Sequence, residues 1–403
     1  LFTILNSVLF TNVNITLFTF VTLKDKIVSE YPFVLSYPKF AATSLAGRYL
    51  PYDAIKKLTS IYSAKKIGES VLGTPIELIE MGKGETKVFM WSQMHGNEST
   101  TTKAVFDMLS YLTHLGRNSA ILTHCTLYVI PMLNPDGSGA YTRLNANQVD
   151  LNRDAIALSQ PESRVLRETF DQIQPDFCFN LHDQRTIFGA GSTGKPATVS
   201  FLAPAANPQT TITPSRKVAM ALIAVMNEVL QLEIPNQVGR FDDSYNANCV
   251  GDTFQTLGVP TILFESGHYP GDYHREQTRR LICTSLLVAL TRIASSSYNV
   301  SDELYAKIPE NQQNFVDLIV TNVPIIFDGS KTRAAVAIQY QETLENNEVV
   351  WIPKYRAIGD LSSFFAHTTL DFDSLADVHD HEFVYNLNTI APDCFNFNIL
   401  KQN

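Results

Sequence analysis

Residues 44–298 are predicted to fold as an α/β domain with a mixed, mainly parallel sheet flanked by helices, and three observations predict it. From Ser44 to Ser297 short apolar runs alternate with longer amphipathic stretches. The long stretches carry apolar residues at three- and four-residue spacing, the period of a helix with one buried face. Four of the short runs stop at polar side chains capable of chemistry, and in open α/β sheets ligands gather at the carboxyl ends of strands. With 45% hydrophobic residues among 403, the chain can bury a large core, and its length suits one large domain and a smaller one.

The elements follow in order. Helices are expected over Thr100–Leu115, Gln160–Gln172, Pro214–Leu230 and His274–Ala294. The four informative strands are Val88–Trp91 before His95, Leu127–Ile130 before Asn134, Phe177–Phe179 before His182, and Thr261–Phe264 before Glu265. After Asn299 the texture changes to short alternating runs such as Leu318–Thr321, Ala334–Gln339 and Val349–Ile352, so 299–403 reads as a small β-rich C-terminal domain in which no chemistry stands out. Residues 1–43 form an N-terminal segment without an assigned role. Its first 23 residues are uncharged and rich in Leu, Phe, Val and Ile, yet Asn6, Asn12 and Asn14 interrupt them and neither a basic leader nor a small-residue cleavage site follows. That pattern favours a cytoplasmic over a secreted or periplasmic location without fixing the compartment, and no clear membrane association is expected.

Several function classes drop out. The net charge of -9 is spread along the chain, so no basic stripe is available for a nucleic-acid backbone. The five cysteines are dispersed, odd in number and never spaced C-x-x-C, which argues against a disulfide framework and a thiolate metal site alike. Any metal must therefore use histidine and carboxylate ligands. Gly189–Lys195 nearly spells a phosphate-binding loop, but Pro196 stands where that loop needs a hydroxyl and a backbone N–H. Ser266 sits in Glu-Ser-Gly-His rather than in the G-x-S-x-G of a serine-hydrolase elbow.

His95-Gly96-Asn97-Glu98 offers an imidazole and a carboxylate three residues apart, close enough to grip one cation from a loop or first helical turn. The same spacing recurs at His379 and Glu382, where no apolar strand feeds it and a solvated acidic turn is the plainer reading. His95 and Glu98 differ in their company: Asn134-Pro-Asp-Gly137, Asp150-Leu-Asn-Arg153, Asn180-Leu-His182 and Phe264-Glu265 follow in that order. Together these elements resemble the M14 zinc carboxypeptidases, whose pattern is an H-x-x-E pair, an N-P-D-G turn, an N-R pair, a later histidine and a final glutamate. The 84 positions between Glu98 and His182 are fewer than in the digestive members and resemble the compact, bacterial-type branch.

The resemblance implies a zinc-carboxypeptidase-like fold and one zinc ion held by His95, Glu98 and His182, a three-ligand set that leaves a position open for water. It implies hydrolysis of a C-terminal peptide bond by that zinc-bound water, with Glu265 as general base. Arg143 is the candidate for stabilising the oxyanion, and Asn152 with Arg153 for holding the substrate's terminal carboxylate, which a guanidinium can grip in a two-point fork. Tyr245 stands near the place of a substrate-contacting tyrosine. Asp252, with Asp242 and Asp243 nearby, would favour a basic or amino-bearing terminal side chain. Plainer roles stand beside these: a β-turn for Asn134–Gly137, an ion pair of Arg153 with Asp150 or Asp154, a core histidine for His182. The expected substrate is a peptide or small acyl-amino acid with a free carboxylate. The alternative within zinc chemistry is a deacylase or amidase acting on small acyl-amino acids or murein peptides; a non-catalytic peptide binder is the reading outside it.

Overall fold

A computed structural model of the chain describes residue 31 and residues 33–299, 301–327, 330–374 and 385–386. Eight strands make the central sheet: β1 (Lys65–Glu69), β2 (Pro75–Gly82), β3 (Thr86–Ser92), β4 (Cys125–Ile130), β5 (Phe177–Asp183), β6 (Val199–Leu202), β7 (Val238–Arg240) and β8 (Thr261–Ser266). Their spatial order is β1-β2-β4-β3-β5-β8-β6-β7. The four central strands β4, β3, β5 and β8 run parallel, while β1 and β2 at one edge and the β6–β8 pairing at the other bring in antiparallel neighbours. The sheet is therefore mixed and mainly parallel, as the sequence pattern predicts.

Burial on both faces explains why the central strands read as unbroken apolar runs. Val88 and Met90 of β3 point into one core with Phe179 and Leu181, whereas Phe89 and Trp91 point into the other with Cys178. The first core is closed by α2 (Thr100–Leu115), α5 (Pro214–Leu230) and α7 (Glu276–Ala294), and the second by α4 (Pro161–Ile173) and α6 (Val250–Thr256). Shorter α1 (Tyr52–Ile61) and α3 (Pro135–Ala140) complete the set used below. Two helices match their predicted spans and a third is displaced by one residue. The fourth starts at Glu276 rather than His274, because Arg275 takes a left-handed backbone (φ 61°) and its guanidinium turns inward to the Ser266 carbonyl.

The C-terminal sheet consists of β9 (Phe315–Phe327), β10 (Ser330–Glu345), β11 (Glu348–Ile358) and β12 (Phe365–Asp371), ordered β11-β10-β9-β12, with Tyr385–Asn386 pairing along β9. Two of the predicted runs, Leu318–Thr321 and Ala334–Gln339, fall on the buried parts of strands 13 and 16 residues long, while Val349–Ile352 is the half-buried start of an 11-residue strand. This sheet lies directly against the first. Tyr273 donates to Asp317 of β9 at 3.0 Å and packs on Tyr340 and Trp351, while His268 meets His367 of β12 at a ring separation of 4.2 Å. His379, Glu382 and the apolar run at 1–23 lie outside the described residues. No helix among the described residues is long and apolar enough to cross a membrane.

In the centre, β3 has β4 on one side and β5 on the other, so the connections leaving it run in opposite directions. Such a switch point opens a crevice at the carboxyl ends of the strands. His95 follows β3 and His182 sits near the end of β5.

Candidate active site

Strand register fixes the first relationship. His182 and Glu265 are direct partners on the parallel neighbours β5 and β8, so both side chains leave the same end of the sheet side by side. His95 and Glu98 come from the loop joining β3 to α2, where the Glu98 N–H donates to the His95 carbonyl at 3.1 Å and folds the pair into a single turn. That loop lies hard against α3: a Cβ on Gly96 would come within 1.9 Å of the Gly137 carbonyl carbon, so only glycine fits. Asn134 completes the support by accepting from the Gly137 N–H at 2.9 Å and donating to the Met94 carbonyl at 3.2 Å. Asn134-Pro-Asp-Gly137 is thus not the β-turn of its plainer reading but the capped first turn of α3, with Asn134 as N-cap, and it buttresses the His95 loop.

Three donor atoms converge. His95 Nδ1 lies 2.7 Å from Glu98 Oε1 and 3.1 Å from His182 Nδ1, which is itself 2.9 Å from Glu98 Oε2. All three side chains are buried, and theirs is the one group of three or more His, Cys, Asp or Glu among the described residues close enough to share a metal ion. Tetrahedral zinc with bonds of about 2.0–2.1 Å sets its ligands about 3.3 Å apart, so the triangle needs little expansion to accept one. The donor set fits zinc.

The electrostatics agree with a cation there. Burial alone would push the Glu98 carboxyl up, yet the two imidazoles hold it well below the usual carboxylate range. Burial opposes protonation of His95 as well, but Glu98 and the hydrogen bond donated to Asp150 outweigh it and raise its pKa; burial prevails at His182 and lowers it. Glu265 carries a pKa well above the ordinary value because burial, Glu98 and Asp183 all disfavour its charge. A carboxylate so placed binds a proton readily.

Every candidate residue of the sequence pattern lines one cavity of about 1500 Å³: His95, Glu98 and His182, then Arg143, Asn152, Arg153, Tyr245, Asp252 and Glu265. Arg143 reaches Glu98 at 3.4 Å and grips Asp150 through two nitrogens at 3.1 Å. Arg153 is not the surface ion pair that its neighbours suggest. Asp150 is taken by Arg143 and His95, and Asp154 accepts from Ser159 and Gln160, leaving Arg153 without an ion pair among the described residues. Its guanidinium is steadied by the Asn152 carbonyl at 2.7 Å and by Cys249 Sγ at 3.1 Å, while Asn152 Oδ1 accepts from Val250 N at the start of α6. Asp252 is buried in the cavity wall and burial pushes its carboxyl up to about 6. Asp242 lines the same wall, whereas Asp243 is drawn away to the buried Arg216. Tyr245 stands partly exposed, its hydroxyl 3.4 Å from Thr256 Oγ1.

Two contributors escaped the sequence reading. Asp150 Oδ1 lies 3.0 Å from His95 Nε2, so it fixes the imidazole with Nδ1 free to face the cation, the usual outer partner of a metal-binding histidine. Its place two residues before the N-R pair was a usable signal. Glu342 had none: it lies in the middle of β10, yet it pairs with Arg48 at 3.4 Å, accepts from the Tyr141 hydroxyl and lines the cavity. The C-terminal sheet, in which no chemistry was expected, is part of the site's wall.

The near phosphate-loop sequence is a tight turn instead. Gly189 and Pro196 bridge its two ends, Gly191 and Gly194 take left-handed backbones (φ 62° and 69°), and no helix follows.

Comparison with known proteins agrees with this geometry. Residues 52–175 match the zinc carboxypeptidase family model, a span that includes His95, Glu98, Arg143, Asn152 and Arg153. The chain is 31% identical over 113 residues to Probable carboxypeptidase 2 of Trichophyton verrucosum, a stretch covering 27% of this chain and 21% of that protein. It is 35% identical over 95 residues to the Gamma-D-glutamyl-L-diamino acid endopeptidase 1 of Lysinibacillus sphaericus, covering 21% of this chain and 24% of the relative. The chain thus matches only about a quarter or less of these relatives' lengths. Among solved structures, a Shewanella denitrificans protein described as a carboxypeptidase A superposes with a TM-score of 0.50 at 16% identity, covering 62% of this chain and 71% of that one, a likeness of fold. The likeness to the zinc carboxypeptidase family thus rests on residues 52–175, less than a third of the chain.

Proposed function

We propose that the chain is a zinc-dependent metallocarboxypeptidase that hydrolyses the C-terminal peptide bond of a peptide, with the metal held by His95, Glu98 and His182. The observation that carries the proposal is the convergence of those three ligand atoms in the wall of a cavity that also holds Glu265 and six arginines, Arg143 and Arg153 among them. When bound, zinc would supply a Lewis acid for the scissile carbonyl and bring the pKa of a water down to about 7. The rest falls to the chain itself. Asp150 holds His95 in the tautomer that offers Nδ1 to the metal. The Glu265 carboxylate takes the proton of the attacking water and returns it to the departing amine, a transfer suited to a carboxyl whose proton affinity is raised by burial and by Glu98 and Asp183. Arg143 presents fixed N–H groups to the carbonyl oxygen as it gains charge. Asn152 and Arg153 receive the terminal carboxylate, and Asp252 meets the terminal side chain.

A second reading keeps the same residues but replaces the peptide by a small acyl-amino acid or a murein peptide. It is favoured by the Lysinibacillus relative, whose name specifies a γ-D-glutamyl bond to a diamino acid, and by the acidic Asp252 wall.

Glu265→Gln tests the chemistry. Zinc content measured by mass spectrometry should match that of the wild type, while turnover of a C-terminal peptide substrate falls by about 10³-fold. Turnover within tenfold of wild type would assign the base elsewhere.

A further inference from the structure

An unbroken line of contacts crosses the site. Asn152 N donates to Asp150 at 2.9 Å, Asp150 holds His95, His95 meets Glu98, the Asp183 N–H donates to Glu98 Oε2 at 3.1 Å, Arg48 pairs with Asp183 at 2.8 Å, and Arg48 reaches Glu342 of β10. The carboxylate clamp stands at one end, the metal site in the middle and the C-terminal sheet at the other. For a substrate whose terminal carboxylate rests on Asn152 and Arg153 and whose scissile bond lies at His95, Glu98 and His182, the remaining cavity lining beyond those three includes Arg48, Glu342 and their neighbours on the C-terminal sheet.

The sheet end of the cavity has a distinct character. Trp351, the cross-strand partner of Glu342, lines it together with Tyr340 and Tyr355. The anionic charge of Glu342 is already matched by Arg48 and by the Tyr141 hydroxyl. Arg185 and Arg356 line the same cavity as exposed side chains, and neither makes an ion pair or a hydrogen bond among the described residues. Gln339 of β10, whose amide donates to Thr186 beside Arg185 at 2.7 Å, ties this rim to the C-terminal sheet. A cationic rim on a chain of net charge -9 is a local reversal of sign, and reversals of that kind select and steer ligands of opposite charge.

We propose that the C-terminal sheet forms the acyl side of the substrate cleft and selects peptides carrying acidic residues upstream of the scissile bond. The proposal rests on the carboxypeptidase reading for the direction in which the peptide lies. Its test does not depend on turnover, because Trp351 is a built-in reporter: the only other tryptophan, Trp91, is fully buried in the core.

Two peptides with a ketomethylene in place of the last amide, one with Glu-Glu and one with Gln-Gln upstream, are titrated into the zinc-loaded full chain and followed by tryptophan fluorescence and calorimetry. The acidic peptide should bind about tenfold tighter at low salt, with the gap closing as salt is raised. In the Arg185→Gln/Arg356→Gln variant the gap should close while the Gln-Gln peptide keeps its affinity. In Trp351→Phe the fluorescence response should vanish while calorimetry still reports binding. Equal affinities in the wild type, a preference unmoved by the double arginine variant, or a fluorescence response that survives Trp351→Phe would each overturn the proposal. Hydrolysis of ordinary peptides without acidic preference removes this inference alone. Acidic-selective binding without release of any C-terminal residue removes the carboxypeptidase reading and leaves the acidic cleft in place.

Discussion

The two sheets meet at one cavity but contribute to it by opposite logic. The central sheet delivers its candidate site residues at its strand ends, where parallel register places His182 beside Glu265 and the switch between β4 and β5 opens space for the His95 loop. The C-terminal sheet delivers its part from mid-strand, through Tyr340, Glu342 and Trp351, side chains that face the cavity because the sheet leans on Tyr273 and Arg48. Strand-end chemistry belongs to the fold, whereas mid-strand chemistry belongs to the docking of one sheet on another.

The comparison can be broken most severely at the clamp. If the central sheet alone determines which end of a peptide is recognised, Arg153→Ala should lower kcat/KM for free-acid peptides about 100-fold, mainly through KM, because a two-point charged contact is lost. A loss below threefold would move the carboxylate site elsewhere.

Smaller effects sharpen the division of labour. Asp252 is mostly anionic only above about pH 6 in the folded chain, so any preference for a terminal Lys over a terminal Leu should shrink by up to about fourfold as pH falls from 7.5 to 5.5. Asp252→Asn should show the reduced preference at every pH; a pH-dependent preference persisting in that variant would separate it from Asp252.

The weakest effect belongs to the seam between the sheets. His367 is held neutral there, its pKa lowered to about 4 by burial, with Arg275 adding to the effect against the hydrogen bond to the Thr186 carbonyl. The unfolded chain protonates this imidazole near pH 6.5, so the stability tied to its neutral form is complete above that value and is lost as pH falls toward about 4. Thermal denaturation between pH 7 and 4.5 should show a melting temperature several degrees less sensitive to acid in His367→Phe than in the wild type. An identical slope in both would place the acid sensitivity outside the seam.

The same contrast governs what was legible in the sequence. Val88–Trp91, Phe177–Phe179 and Thr261–Phe264 announce themselves because strands buried on both faces must be apolar throughout, and the break to His95, His182 or Glu265 then stands out. The polar edge strand β1, with Lys65, Lys66 and Glu69 exposed, carries no such pattern and passed unnoticed. Asp150 was visible as a residue but not as the partner of His95, since that contact spans 55 positions. Glu342 and Trp351 were beyond reach: they sit in an alternating run that any half-exposed strand would show, and only the packing of the second sheet turns them toward the cavity.

The most direct test of a carboxypeptidase is the chemical state of the peptide's end. Zinc-loaded protein is incubated with one peptide as its free acid and as its C-terminal amide, and the products are weighed by mass spectrometry. Loss of a single C-terminal residue from the free acid, with the amide cleaved at least about 100-fold more slowly, is the expected result. Internal cleavage, or equal cleavage of both forms, would contradict it.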